Sequence, residues 1–135
     1  MGIKYKAGYK YQVVEDYTCN IELYTTKVIK SEFAELSPPG VLLIKKGYAF
    51  DGPSGIAIDT KKAMRGALIH DVLYQMMREG LIPQTARKQA DLELRKACIE
   101  DGMIGIRVWW IYRAVRRFAG FAANPKNDKV ILTAP

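Results

Sequence analysis

The amino-acid sequence predicts an α+β fold in which a small antiparallel β portion is followed by three helices. In the first third of the chain, Tyr, Val, Ile and Thr alternate with polar residues, a pattern typical of half-buried strands. From residue 60 onward, apolar residues recur at helical spacing in three segments separated by glycine and proline. The 135 residues suit a single domain, predicted over 1–121, with a C-terminal tail at 122–135.

The β portion is predicted over residues 3–47. Strands are predicted, in chain order, at 9–13, 19–23, 33–36 and 41–44. Glu15 and Asp16 are expected to turn the chain between the first two strands. The Ser-Pro-Pro-Gly sequence at 37–40 is a strong turn signal, because proline fixes φ and glycine tolerates the left-handed region. These segments predict one small antiparallel sheet or a set of hairpins.

A loop is predicted over residues 48–59. Gly52, Pro53, Ser54 and Gly55 stand together there, a composition that excludes helix and disfavours a central strand. Apolar residues flank the loop on both sides, so we expect it to pack against the helix that follows.

Three helices are predicted over residues 60–119. The first begins at Asp59 or Thr60, either of which can cap it, and ends near Arg78 before Gly80. The connection at 81–83 is short, so the second helix, over 84–100, should run antiparallel to the first. The third helix covers 104–118, and its expected core face consists of Val108, Ile111, Tyr112, Val115 and Ala119.

Another face of the third helix carries Trp110, Arg113 and Arg117. Tryptophan and arginine at headgroup level would suit an anionic lipid surface; the alternative is a solvated basic helix edge. The net charge of +7 also permits nucleic acid or an acidic protein as partner. Because the basic residues are dispersed and form no recognised motif, a nucleic-acid partner is disfavoured.

The chain is expected to be soluble as made. Its first residues start no signal peptide, because no apolar segment follows them. No apolar run approaches the roughly 18 residues that would indicate a transmembrane helix. Cys19 and Cys98 are far apart and lack metal-ligand spacing, so we expect two free thiols, with a single disulfide as the alternative.

His70, the single histidine, is the first candidate catalytic residue. Tyr74 lies four residues later on the same helix face. Asp91 shares an apolar stripe of the second helix with Leu94 and Cys98, and a buried acid needs a partner. His70 is therefore predicted to lie within hydrogen-bonding reach of Asp91, directly or through Tyr74 or one water.

This arrangement admits a chemical and a structural interpretation. An imidazole held by a carboxylate can take a proton from water, with Asp91 and Tyr74 as the orienting groups of His70. Alternatively, Asp91 accepts a hydrogen bond from Tyr74 and simply ties the two helices together.

A divalent-cation site is a further hypothesis. Asp71 can offer carboxylate oxygens, and Asp51, Gly52 and Gly55 belong to a loop that can offer carboxylate and carbonyl oxygens. Calcium prefers such oxygen ligands, so calcium is the possible cofactor. A cation there would polarise a carbonyl or phosphoryl oxygen while a water activated by His70 attacks.

The sequence resembles the tailed-phage and prophage family called domain of unknown function 1353. The matching stretches lie at 47–54, 70–74 (His-Asp-Val-Leu-Tyr), 87–91 (Arg-Lys-Gln-Ala-Asp) and 112–116 (Tyr-Arg-Ala-Val-Arg). The resemblance covers roughly residues 40–120. It implies a bacteriophage protein made in the host cytoplasm, which either stays there or enters the virion beside other phage virion proteins.

A weaker resemblance is to phospholipase A2 enzymes, especially those in parvovirus capsids. These enzymes have a glycine-rich calcium loop, a His-Asp-x-x-Tyr helix and a second helix with Ala-Asp, as at Ala90-Asp91 here. The resemblance implies an antiparallel helix pair with His70 as general base and Asp71 as a calcium ligand. It also implies Asp91 and Tyr74 as the pair that orients the imidazole.

Three functions follow as hypotheses from different classes. The first is calcium-dependent hydrolysis of a lipid or ester. The second is a non-enzymatic virion component, such as a tail or connector protein, that keeps the helix pair as scaffold. The third, suggested by charge alone, is nucleic-acid binding.

Overall fold

The computed structural model of the chain describes residues 5–6, 11–50 and 60–118. These residues fall into two compact units, a β unit up to residue 50 and a helical unit from residue 60. The two units are described separately below. An antiparallel β region followed by three helices confirms the predicted α+β class. Whether 1–121 forms a single domain stays a prediction, and the tail at 122–135 lies outside the described residues.

The described β unit has seven short strands arranged in two antiparallel sheets. In chain order they are β1 (Tyr5–Lys6), β2 (Tyr11–Val13), β3 (Tyr17–Asn20), β4 (Ile29–Lys30), β5 (Ala34–Ser37), β6 (Val41–Ile44) and β7 (Ala49–Phe50). One sheet has the order β1-β2-β7, and the other has the order β3-β6-β5-β4. The apolar strand β6 lies inside the second sheet, and its Leu42 and Ile44 are fully buried.

One expectation about the β unit is confirmed and two are wrong in detail. The chain does bend at Glu15 between β2 and β3, as expected, and the two strands then join different sheets: β2 pairs with β1 and β7, and β3 pairs with β6. The strand expected at 19–23 runs from Tyr17 to Asn20 because its register is set by β6, with Tyr17 opposite Ile44. A strand also begins inside the predicted loop: Phe50 of β7 pairs with Tyr11, and their ring centroids lie 5.8 Å apart.

The helical unit contains α1 (Thr60–Arg78), α2 (Arg87–Glu100) and α3 (Gly105–Phe118). The first turn expected of the second helix is instead a short 3-10 helix at Gln84–Ala86. Glycines follow the ends of α1 and α2, as expected. Gly80 has a φ of 75° and Gly102 a φ of 92°, conformations that glycine adopts at little steric cost.

Helices α1 and α2 are antiparallel, as predicted. Arg65 near the start of α1 pairs with Glu100 and Asp101 at the end of α2, while Tyr74 near the end of α1 contacts Arg87 at the start of α2. Gly66 permits this close packing. A Cβ at that position would lie 3.0 Å from the carbonyl oxygen of Leu94 and 3.1 Å from Sγ of Cys98, closer than ordinary van der Waals contact, so a larger residue would fit only if its neighbours on α2 moved away.

Helix α3 completes the core of the helical unit. One buried cluster joins the three helices and the turn before α3: Ala63, Leu94, Cys98, Met103, Val108, Ile111 and Val115. Tyr112, expected in this core, is only half-buried because it lies on the flank of the helix, where the Arg95 guanidinium stacks 5.5 Å from its ring centroid. Ala119 lies outside the described residues. Within the described part of the chain, no helix is long and apolar enough to cross a membrane.

Candidate active site

Helix α1 presents His70 and Tyr74 on one buried face. Their side chains lie one helical turn apart, and the centroids of their rings are 4.1 Å from each other. His70 is 7% exposed and Tyr74 is 2% exposed. The small side chains of Ala63 and Ala67 precede His70 on the same stripe and are buried with it. The imidazole therefore lies in an apolar setting, where a polar partner has a large effect.

Asp91 of α2 supplies that partner. Its carboxylate is fully buried, and Oδ1 lies 2.7 Å from Nε2 of His70. The same oxygen accepts a hydrogen bond of 2.6 Å from the hydroxyl of Tyr74. The predicted direct contact between His70 and Asp91 is confirmed, and so is the burial of this acid.

Two arginines complete the network and were not predicted as site residues. Arg116 of α3 donates from Nη1 to Oδ2 of Asp91 at 2.8 Å. Arg87 of α2 donates from Nε to the hydroxyl of Tyr74 at 3.1 Å. From Nη2, Arg87 also donates to the carbonyl oxygens of Val115, at 3.0 Å, and Arg116. We call the whole network the Asp91 cluster; its members are His70, Tyr74, Arg87, Asp91 and Arg116.

A local signal existed for one of these arginines. Arg87 stands four residues before Asp91 and therefore lies on the same face of α2. Arg116 has no comparable signal, because its contact depends on where α3 crosses the helix pair.

The hydrogen bonds decide the charge state of Asp91. Burial by itself would raise the pKa of this carboxyl, but the hydrogen bonds from His70, Tyr74 and Arg116 outweigh burial and hold the pKa below its ordinary value. Tyr74 shifts the other way. Burial, followed by the hydrogen bond to Asp91 and the negative charge of that residue, raises the pKa of Tyr74 well above its ordinary value. At neutral pH the cluster thus contains a carboxylate and a protonated phenol.

The carboxylate also determines the tautomer of His70. An ionised carboxylate only accepts hydrogen bonds, so Nε2 of the imidazole must carry a hydrogen. In the neutral ring Nδ1 is then the atom with a lone pair, and it has no hydrogen-bond partner among the described residues. The side chain of His70 is 9% exposed. This arrangement can take a proton from a water molecule and hold the resulting imidazolium beside a carboxylate.

The predicted cation site remains largely outside the described residues. Asp51, Gly52 and Gly55 belong to the segment 51–59, which the structure does not describe. Asp71 is half-buried on α1, next to His70. In the described ranges no group of three or more His, Cys, Asp or Glu side chains could hold a metal ion. Because backbone carbonyls can also bind calcium, the calcium ligand set stays a prediction.

We compared the chain with known proteins at three levels. Neither the models of protein families, nor the curated proteins, nor the solved structures contain a match to it.

Proposed function

We propose that the helical unit is the catalytic part of an ester hydrolase in which His70 acts as the general base. The observation that carries the proposal is that only one of the two imidazole nitrogens is bound to Asp91. Nε2 is held by the buried carboxylate of Asp91, which leaves Nδ1 to act on a water molecule. General bases positioned in this way accelerate ester hydrolysis without a covalent intermediate.

The reaction would proceed as follows. Nδ1 of His70 takes a proton from water, and the water oxygen attacks the carbonyl carbon of the ester. The bond to the leaving alcohol then breaks, and the imidazolium returns its proton to the alkoxide. Asp91 stabilises the imidazolium, while Tyr74 and Arg116 keep the carboxylate in position through their own hydrogen bonds.

Charge favours an anionic substrate, and among esters a phospholipid fits best. Arg116 donates to the carboxylate of Asp91, whereas Arg87 donates to the phenol of Tyr74 and to backbone carbonyls, so the two arginines and one acid of the Asp91 cluster carry a net positive charge. The side chain of Arg116 is 33% exposed and can reach a headgroup phosphate. A calcium ion held by Asp71 and by oxygens of Asp51, Gly52 and Gly55 would supply Lewis-acid polarisation of the ester carbonyl when bound.

The hydrolysis proposal is tested by measuring fatty-acid release from phosphatidylglycerol vesicles with calcium present. His70→Gln should lower kcat by about 100- to 10,000-fold, the range that a general base contributes. Lys61→Gln on the exposed surface of the same helix is the matched control and should keep the wild-type rate. Fatty-acid release by the wild type no faster than by His70→Gln would reject the proposal.

The calcium proposal has its own test. Isothermal titration of the wild type should show calcium binding, and Asp71→Asn should weaken that binding at least 10-fold because a charged ligand is lost. Absence of binding at millimolar calcium would remove the metal from the proposal without touching the role of His70.

A second candidate is a non-enzymatic virion component, and one observation favours it. Arg87 and Arg116 tie α3 to the helix pair, so the same network that orients His70 also fastens three helices together. Such a network could be purely structural. Mass spectrometry of purified virions would detect the chain if this is its role, and particles carrying His70→Gln would then remain infectious.

A further inference from the structure

The outer face of α3 carries large apolar side chains in contact with solvent. Ile106 is 73% exposed, Trp109 is 58% exposed and Trp110 is 51% exposed. Arg113 and Arg117 continue the same face, since the five residues stand at i, i+3, i+4, i+7 and i+11. We call this set the outer face.

Packing within the helical unit does not account for the outer face. The core side of α3 consists of Val108, Ile111 and Val115, all buried, and it lies on the opposite side of the helix. Isolated exposed apolar residues are ordinary, but two tryptophans and an isoleucine side by side form a patch. Exposed apolar patches of this kind mark surfaces that bind a protein, a membrane or a ligand.

The charge on α3 identifies the class of partner. The helix contains four arginines and no acidic residue. The guanidinium of Arg113 stacks over Trp109, 5.3 Å from the ring centroid, so cationic and aromatic groups are interleaved on one surface. Arg107 adds a further exposed cation on the flank of the helix. An anionic surface is complementary to this combination.

We propose that α3 binds the surface of an anionic membrane through its outer face, with the helix axis parallel to the bilayer. Ile106 and the tryptophans would enter the boundary between headgroups and acyl chains, while Arg107 and Arg113 would contact lipid phosphates. The 14 residues of α3 would lie along about 21 Å of that surface. This deepens the proposed function by naming the surface that meets lipid, and it does not require His70 to be catalytic.

Tryptophan fluorescence can measure the proposed membrane binding directly. The chain contains two tryptophans, and both lie on the outer face. Vesicles containing phosphatidylglycerol should shift their fluorescence to the blue and protect them from acrylamide quenching. Vesicles of pure phosphatidylcholine should do neither at physiological salt, and raising the salt should reverse the effect.

Variants that keep both tryptophans sharpen the test. Arg107→Gln and Arg113→Gln should each raise the lipid concentration for half-maximal binding about 5-fold, the effect of about 1 kcal/mol per cation at the surface. Ile106→Ser should also weaken binding. Tyr24→Ser is the matched control: Tyr24 is 73% exposed in the β unit and should not affect binding. Circular dichroism verifies that each variant is folded.

Two outcomes would overturn the membrane proposal. The first is unchanged tryptophan fluorescence with both kinds of vesicle. The second is a blue shift that rises with protein concentration in the absence of lipid, since a second copy of the chain would then cover the outer face.

Failure of lipid binding can be separated from failure of hydrolysis. His70→Gln should bind vesicles like the wild type, and Ile106→Ser should hydrolyse a short-chain ester, dissolved as monomers, at the wild-type rate. Loss of vesicle binding in His70→Gln would contradict the assignment of lipid binding to α3.

Discussion

Charged groups join α1 to α2 at two places, and the two junctions are built differently. At one, Arg65 is buried and pairs with Glu100 at 2.6 Å and with Asp101 at 3.1 Å. At the other, the buried group is the carboxylate of Asp91, which is fully enclosed and receives hydrogen bonds from three side chains. We call the first junction the Arg65 cluster.

The two clusters differ in what happens when one partner is lost. The acids of the Arg65 cluster are accessible, with side chains 41% and 23% exposed, so water can solvate them. In the Asp91 cluster the acid, the phenol and the imidazole are all buried. The Asp91 cluster also contains an imidazole, whereas the Arg65 cluster consists of a guanidinium and two carboxylates. The two junctions of this helix pair should therefore differ both in the cost of losing a partner and in chemical capacity.

The largest effect is expected from Asp91→Ala. Removing the carboxylate leaves the buried Tyr74 hydroxyl and Nε2 of His70 without their acceptor, at a cost of about 1–3 kcal/mol, whereas the side chain of Arg116 is 33% exposed and can be solvated. Urea denaturation followed by circular dichroism measures the loss. Asp91→Asn keeps the shape and one acceptor, and it is the variant to use if Asp91→Ala does not fold. If the free energy of unfolding fell by less than 1 kcal/mol, the Asp91 cluster would be no more sensitive to the loss of a partner than the Arg65 cluster.

Arg65→Met should cost less, about 1 kcal/mol. Methionine can fill much of the space of the arginine stem, and Glu100 and Asp101 can turn to water. The same urea denaturation applies, and hydrolytic activity should not change. If Arg65→Met proved as destabilising as Asp91→Ala, the exposure of the acids would not explain how much stability each cluster loses with a partner.

Acid should weaken the Asp91 cluster selectively. The folded-state pKa of Asp91 is lowered, so its stabilising contribution is complete above the ordinary value of 3.8 and is lost as the pH falls through the folded value. The wild type should therefore lose more stability than Asp91→Asn between pH 5 and pH 2. Denaturant melts across that range check this, and parallel pH profiles for the two proteins would contradict it.

The smallest effect on stability is expected from His70→Gln. The amide of glutamine can donate to Asp91 in place of Nε2, so the loss should stay below about 1 kcal/mol. The value of kcat should nevertheless fall by about 100- to 10,000-fold, because an amide cannot take up a proton from water. A large loss of stability combined with unchanged activity would make His70 a packing residue.

The contact between His70 and Asp91 was predictable because its determinants are local. Tyr74 follows His70 by one helical turn, and Asp91 lies on an apolar stripe of the second helix. A short connection makes the two helices antiparallel neighbours. The contact of Arg116 was not predictable in this way. It depends on the position of α3 across the helix pair, which is set by the packing of Val108, Ile111 and Val115 against α2 rather than by sequence spacing.

Among the strands, too, some features follow from the local sequence and others depend on pairing with distant strands. The apolar run of β6 was predicted at the correct residues, since four consecutive apolar residues after a turn leave little ambiguity. The boundaries of β3 were displaced because alternation in 17–23 fits more than one register, and the pairing of Tyr17 with Ile44 selects among them. Strand β7 is only two residues long, too short to produce a periodic signal.

The charge balance of Asp91 has a consequence for the order in which a nascent chain can assemble. Its arginine partner on α3 lies 25 residues further along the chain, so this contact can form only after α1 and α2 have been synthesised. Without α3, the pair formed by α1 and α2 would hold a carboxylate that lacks its hydrogen bond from Arg116. The hydrogen bonds around Asp91, and with them the orientation of His70, are therefore complete only once α3 has docked against the helix pair.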